Sequence, residues 1–417
     1  MKASNDPIVV TGLGMVTPCG TGVEATWSNL VAGHSGIGLT TLFDATDFAV
    51  QFCGEVKNWD PVVHFGKKKH RELGRFTQFA LAAAEMAVRD SGLDLSDEDR
   101  EDAACVIGVG FGGLECLERA ADTIRTKGPS KISPYSIPSI AQNMAAGQIS
   151  IALGLRGPSF CTGSACASGS HAIGASLQLL RSGLASVAIT GGTEATITPT
   201  GVAGFQAMHA LSRRNDDPAG ASRPFDMGRD GFVLSEGAAI LVLEPLSRAR
   251  ARGARIYAEI RGYGLSSDAH HPVHPVPGGR GAASAMRRAL RDANIAADDV
   301  DYINAHGTST PLGDVQECVA IVDVFGERAS RGDLWVSSTK SMTGHMLGAA
   351  GAAEAAFVAL TCSRGVVPPT INVCEQDPAC AVDVVANEAR ERRIRHGVSN
   401  SFGFGGTNAS LVLSCVE

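Results

Sequence analysis

Short, almost unbroken apolar runs alternate along this chain with longer stretches whose apolar residues recur every three or four positions. The first kind reads as strands buried on both faces, the second as helices that cover them. Pro7–Gly20 opens with such a strand, which the pattern continues into a Gly-rich turn. Gly74–Leu93 is predicted helical, with Phe79, Leu81, Ala84, Met86 and Val88 as apolar positions. Ala104–Gly110 reads as a buried strand followed by a turn at Gly110-Phe111-Gly112-Gly113. The Gly128–Pro134 loop breaks structure before one helical segment over Pro138–Leu155. A short strand is predicted near Ser159–Thr162, then a helix in which Ile173, Leu177 and Leu180 share a face and which Gly183 closes. Ser186–Gly191 and Ala238–Leu243 are two further strands.

A second series follows in the same manner. Ile256–Gly262 is a strand, Arg280–Asn294 an amphipathic helix, and Val300–Asn304 a strand ending at Ala305-His306-Gly307. Leu334–Ser338, His396–Ser401 and Ala409–Cys415 are predicted strands, and MLGAAGAAEAAF a helix. The two series, residues 1–250 and 251–417, suggest two similar α/β halves with mixed or parallel sheets covered by helices. The likeness is one of order rather than of residue identity. Arg213–Ser222 reads as an exposed loop.

Composition narrows the class. With 417 residues, 44% hydrophobic and 19% charged, the chain is globular and long enough for a large core. The net charge of −7 argues against a nucleic-acid partner but leaves room for an acidic protein docking on a local basic patch. Lys67, Lys68, Lys69, His70 and Arg71 form such a run, with Lys131, Arg213 and Arg214 as further cations; a solvated face is the plain alternative. No apolar run reaches the roughly 18–20 residues that span a bilayer, and Met1–Pro7 does not read as a signal peptide. The 11 Cys are irregularly spaced, with no Cys/His zinc pattern, as expected of reduced thiols in a cytoplasm. The strand and Gly-x-Gly at the start resemble half of a dinucleotide fingerprint, but the third Gly is misplaced and no acidic residue follows at the required distance.

Four stretches place reactive groups among small residues. Cys161-Thr-Gly-Ser-Ala-Cys166-Ala-Ser-Gly-Ser170 puts Cys166 at a strand-to-helix turn, where exposed N–H groups favour thiolate and small neighbours admit a substrate carbonyl. A buried structural Cys is the alternative. Asn304 to Asp314 carries His306 at a strand end, then hydroxyls and glycines; Ser338 to His345 carries Lys340 and His345 five residues apart. Asn400 to Asn408 is a Gly-rich loop with backbone N–H groups to offer. With Cys and His in different halves, the simplest account is one site where the halves meet. His270, His271 and His274 have no evident carboxylate or Cys partner and fit an entrance loop better than a metal site.

These stretches, with RPFDMGRDGFVLSEGAAILVLE at Arg223–Glu244, resemble the β-ketoacyl-[acyl-carrier-protein] synthases of the elongating KAS II type over essentially the whole chain. Ser164 departs from the pattern, which usually has Thr there. The resemblance implies a thiolase-like α/β fold, two αβα halves forming a five-layered αβαβα core, and a homodimer. It implies an acyltransferase that holds an acyl chain on Cys166 and condenses it with malonyl-carrier thioester, serving fatty acid synthesis or a free-standing polyketide or specialised-lipid ketosynthase. Phe404 and Cys166 would supply the oxyanion-hole N–H groups, and Phe404 would gate the acyl pocket. His306 and His345 would stabilise the enolate, Lys340 would orient and tune His345, and Thr308 and Thr310 would bind the pantetheine arm. Phe111, Phe205 and Phe402 would line the acyl pocket, with Phe111 limiting chain length unless a partner subunit's loop around Tyr135 and Ser136 leaves room. Acyl carrier protein would dock on Lys67, Lys68, Lys69, Arg71, Lys131 and Arg213. No cofactor is required; Asn304, Glu354, Ser399 and Asn400 match the positions of a monovalent Na or K ion, a purely structural role being equally open. A degradative thiolase would need a second Cys in the GFGFGGTN loop, which has none, and a non-catalytic chain-length subunit usually lacks the nucleophile.

Overall fold

In the computed structural model, which describes residues 6–416, the strands join into one long twisted sheet system that divides naturally in two. The first half contributes β1 (Ile8–Thr17), β2 (Ala103–Val109), β3 (Ser159–Thr162), β4 (Val187–Glu194) and β5 (Gly237–Pro245). The second contributes β6 (Ala258–Ser267), β7 (Tyr302–Asn304), β8 (Trp335–Ser337), β9 (His396–Gly403) and β10 (Thr407–Ser414). β1 and β6 meet antiparallel at the junction. Outward from it, each half repeats one order: first strand, fifth, fourth, second, third. The pairings repeat too, antiparallel for the inner two contacts and parallel for the outer two. A short strand at Asp383–Val384 is added beyond β8.

Five helices matter for the site: α1 (Arg75–Ser91), α2 (Ser168–Arg181), α3 (Arg280–Ala293), α4 (Pro311–Phe325) and α5 (Ala350–Arg364). α2 and α5 pack on each other between the sheets, α1 covers the outer face of the first half, and α3 and α4 cover that of the second. The result is α–β–α–β–α. Alternate residues of β5 serve two cores: Leu241 and Leu243 face the central helices, while Ile240 and Val242 face α1. Burial on both faces is why the strands read as continuous apolar runs.

Three local expectations need correction. Gly12 and Gly14 do not form a turn; β1 runs straight through them. They are glycines because α1 lies against the strand: a β-carbon on Gly14 would sit 1.9 Å from the Ala83 carbonyl oxygen, and one on Gly12 2.2 Å from that of Ala87. Gly262 and Gly264 do the same in β6 beneath Ala289 and Ala285 of α3, so the duplication does leave a residue-level trace. The single helix over 138–155 is two, Ser136–Ile140 and Met144–Leu153, with an extended residue at Ala141 between them.

Candidate active site

β3 ends at Thr162, and the chain turns sharply through Ala165, whose φ of +49° is unusual for a residue with a β-carbon. Cys166 sits in the single 3-10 turn that follows, and α2 starts at Ser168. Ser168 braces the turn, accepting from the Ser164 N–H (2.9 Å) and donating to the Ala165 carbonyl (2.7 Å). In the second half β8 leads through Lys340–Thr343 and His345 to the same device: Leu347 at φ +45°, one 3-10 turn, then α5. Gly348 there occupies the place that Cys166 holds in the first half.

The two strand-to-helix turns approach each other between the sheets. His345 Nε2 lies 3.0 Å from Cys166 Sγ. His306, at the end of β7, brings its ring to 5.2 Å from that of His345, nearly perpendicular at 83°. One ligating atom from each of Cys166, His306 and His345 falls within 4.8 Å of the others. Burial lowers the pKa of both imidazoles well below the usual value, and the charge of Lys340 pushes the same way, so both stay neutral near pH 7. Burial raises the Cys166 thiol to about 12, against the lowering effect of Lys340 and of the Phe404 and Cys166 N–H groups. The N–H groups at the helix start do favour thiolate as expected, but loss of hydration outweighs them and raises the thiol.

Lys340 makes its hydrogen bond to Glu354 rather than to His345. Its ammonium pairs with Glu354 of α5, both side chains being buried, and it reaches the histidines and the thiol through its charge alone. Three oxygens at the proposed cation positions, Asn304 Oδ1, Ser399 Oγ and Glu354 Oε2, are buried without a hydrogen-bond partner. Asn304 and Ser399 are cross-strand neighbours on β7 and β9. Those three fit a monovalent cation; Asn400 fits less well, since its Oδ1 already accepts from Ser410 at 2.8 Å.

A cavity of about 360 Å³ opens from this cluster. Thr308 and Thr310, bonded to each other at 3.0 Å, line it with Phe205, Phe402, Phe404 and His274. A β-carbon on Gly403 would lie 2.8 Å from the Ser164 carbonyl oxygen, so only glycine lets the Phe404 loop close on the cysteine turn. Gly405 N–H donates to the Pro272 carbonyl at 2.7 Å, tying that loop to the histidine-rich segment, where His271 and His274 stack at 4.4 Å. Among the described residues, the cysteine–histidine cluster is the one group of three or more His, Cys, Asp or Glu close enough to share a metal ion, and the segment His270–His274 is not part of it. Phe111 lies outside the cavity wall, half exposed and edge-on to Phe205 at 5.9 Å. Lys67, Lys68 and Arg71 are exposed and Lys69 half-buried, at the end of the short helix Pro61–Lys69 and just beyond it; Lys131 is exposed elsewhere, and Arg213 bonds His209 of the cavity wall at 3.0 Å.

Sequence reasoning passed over the buried carboxylates that hold these loops. Glu317 accepts from the His306 and Gly307 N–H groups at 2.8 and 2.7 Å. Glu194 accepts from Gly110, Phe111, Gly112 and, across the halves, Gly348. Burial raises both to about 7 against the pull of those N–H donors. An acidic residue inside an apolar or Gly-rich run was the available signal.

Family models for the β-ketoacyl synthase N-terminal and C-terminal domains match residues 5–249 and 257–374. The chain is 48% identical over 415 residues to 3-oxoacyl-[acyl-carrier-protein] synthase 2 of Staphylococcus aureus (strain N315), covering all of both chains. It is 49% identical to the protein of that name from Coxiella burnetii, over 98% of each. Among solved structures, the ishigamide ketosynthase/chain length factor superposes with a TM-score of 0.91 at 37% identity, covering 99% of this chain and 100% of that one. A type II polyketide-synthase acyl-carrier protein in complex with its ketosynthase bound to the hexaketide superposes with the same score and coverage at 34% identity.

Proposed function

The chain belongs to the β-ketoacyl synthase family, and on that premise we propose that it is a 3-oxoacyl-[acyl-carrier-protein] synthase of thiolase fold that elongates acyl chains by two carbons in fatty acid synthesis. The observation that carries the mechanism is Cys166 Sγ at 3.0 Å from His345 Nε2 in a cavity shared with His306. Sγ attacks the carrier-bound acyl thioester; the thiol proton ends on the departing pantetheine sulfur, so the step needs no net acid or base. The oxyanion is met by the N–H groups of Cys166 and Phe404, each such donor being worth about 10²–10³ in rate.

Malonyl thioester then loses carbon dioxide, leaving enolate charge on its thioester oxygen. A neutral imidazole has one N–H. Nδ1 of both His306 and His345 is buried without a partner, so a proton there would be an orphan donor. Placed on Nε2 instead, both protons face the enolate. The enolate carbon attacks the acyl carbonyl, Cys166 leaves as thiolate, and one proton from solvent restores the thiol. Burial, helped by the charge of Lys340, keeps both imidazoles neutral, and Thr308 and Thr310 hold the pantetheine arm. A Na or K ion on Asn304, Ser399 and Glu354 would supply fixed charge bracing the floor; Asn400 contributes through its bond to Glu317 instead.

Acyl carrier protein approaches over Lys67, Lys68, Lys69, Arg71, Lys131 and Arg213. β3 pairs on one side only and leaves Phe160 exposed, which favours a second copy adding there as a homodimer. None of the described helices is long and apolar enough to cross a membrane, and the expected place of work is the cytoplasm. The likeness to polyketide ketosynthases supports a second reading, a specialised-lipid or polyketide elongation. The test is condensation assayed on a fatty-acid carrier and on a polyketide carrier. Turnover on the fatty-acid carrier alone supports the first reading, turnover on the polyketide carrier alone overturns it, and no condensation on either overturns both.

A further inference from the structure

Thr308 and Thr310 sit in the connection from β7 to α4, and Ser309 between them has φ +70°, a left-handed conformation that a β-carbon disfavours. Such a conformation persists where the surroundings over-determine it. Three constraints act on Ser309 itself. Its N–H donates to Asp314 Oδ1 (3.1 Å), its carbonyl accepts from Gly231 N–H (3.1 Å), and its Oγ accepts from Arg223 N–H (3.0 Å). The fourth is a buried side chain that does not line the cavity. Arg229, 8% exposed, donates through Nη2 to the Pro311 carbonyl (3.0 Å) and through Nε to that of Thr310 (3.3 Å). Nη1 donates to the Asp226 carbonyl (2.8 Å), and Nη2 also pairs with Asp377 at 2.8 Å. One planar guanidinium thus locks the segment after the two threonines to two loops distant in sequence. A lysine ammonium, a compact point charge, lacks the fork to reach these carbonyls together.

We propose that Arg229 is a positioning residue for the carrier's pantetheine arm, holding the backbone of Thr310 and Pro311 so that the Thr308 and Thr310 hydroxyls face the cavity in one fixed arrangement. The proposal rests on the reading that those hydroxyls contact the arm. Asp314, buried and 3.8 Å from Nε, completes the clamp from α4 while accepting the Ser309 and Phe225 N–H groups. A residue that served stability alone would affect every substrate equally. One that sets the threonine wall penalises substrates that carry the arm.

The experiment compares Arg229→Lys, Arg229→Met, Thr308→Val and Thr310→Val with the unaltered protein. kcat/KM for Cys166 acylation is measured with an acyl-carrier donor and with a simple acyl thiophenol ester that lacks pantetheine, and thermal midpoints are recorded alongside. The expected result is a loss with the carrier donor at least about fivefold larger than with the thiophenol ester, mainly in KM, for the threonine variants and for both arginine variants. Equal losses with the two donors in Arg229→Lys, beside a selective loss in the threonine variants, would overturn the role of Arg229. No selectivity in the threonine variants would overturn the pantetheine reading and the proposal with it. Should Arg229→Met fail to fold, Arg229→Lys decides.

Discussion

Replacing Lys340 by Met removes one member of a buried pair whose two side chains are 1% and 2% exposed. A buried pair broken to leave a bare charge costs about 3–5 kcal/mol. Here the remaining partner can take a proton instead, because burial already raises the Glu354 carboxyl to about 7 with Lys340 beside it pulling down. Without the ammonium its pKa climbs further, while the unfolded carboxyl stays near the usual value of about 4.3. A group whose folded pKa is raised contributes stability at low pH that is lost as pH rises. The penalty of the variant should therefore be larger at pH 8 than at pH 6, because above pH 7 the unaltered protein has stopped losing stability while the variant's carboxyl stays protonated and goes on losing it. Function should suffer separately, since Lys340 lowers the Cys166 thiol and its removal makes thiolate scarcer. The assays are denaturation midpoints at pH 6 and 8 and the rate of iodoacetamide alkylation of Cys166, with Lys340→Met/Glu354→Gln as the control. That double variant should lose the pH-dependent penalty and keep the slow alkylation. Equal destabilisation at both pH values, or alkylation restored in the double variant, would refute the reasoning.

His306→Asn and His345→Asn should slow malonyl decarboxylation by about 10²-fold or more and acyl transfer much less, because the enolate charge arises only in the second step; single-turnover rates of the two half-reactions check this, and equal losses would contradict it. Lys68→Glu/Lys69→Glu should raise KM for carrier-linked donors, and added salt should mimic it, while a simple pantetheine thioester is spared. Phe111, half exposed and outside the cavity wall, can limit primer length only where a second copy packs against it, so Phe111→Ala should extend the range of primers in a dimer and leave it unchanged in a lone chain. Transfer rate against acyl length checks this, and a flat profile in both proteins counts against it.

The groups that converge in the site were legible because each lies in a stretch of small residues that follows a strand: closely at His306, and farther on at Cys166 and His345. The strands were legible for a related reason: burial on both faces leaves little room for polar residues. What escaped depends on contacts distant in sequence. Gly12 and Gly14 look like a turn until α1 is laid across them. Glu194 and Glu317 look like ordinary acids until amides from other elements converge on them. At Cys166 the helix start is visible in sequence, whereas the loss of hydration that opposes it is a property of the assembled halves.

The central claim is that Cys166 carries the acyl chain between the two half-reactions. Intact-protein and peptide mass spectrometry after mixing with acyl-carrier donor tests it most directly. One acyl adduct per chain should appear on the Cys166 peptide, be absent in Cys166→Ala, and disappear on addition of malonyl-carrier thioester as β-ketoacyl carrier forms. An adduct on another residue, an undiminished adduct in the variant, or one that persists while product accumulates would contradict the account.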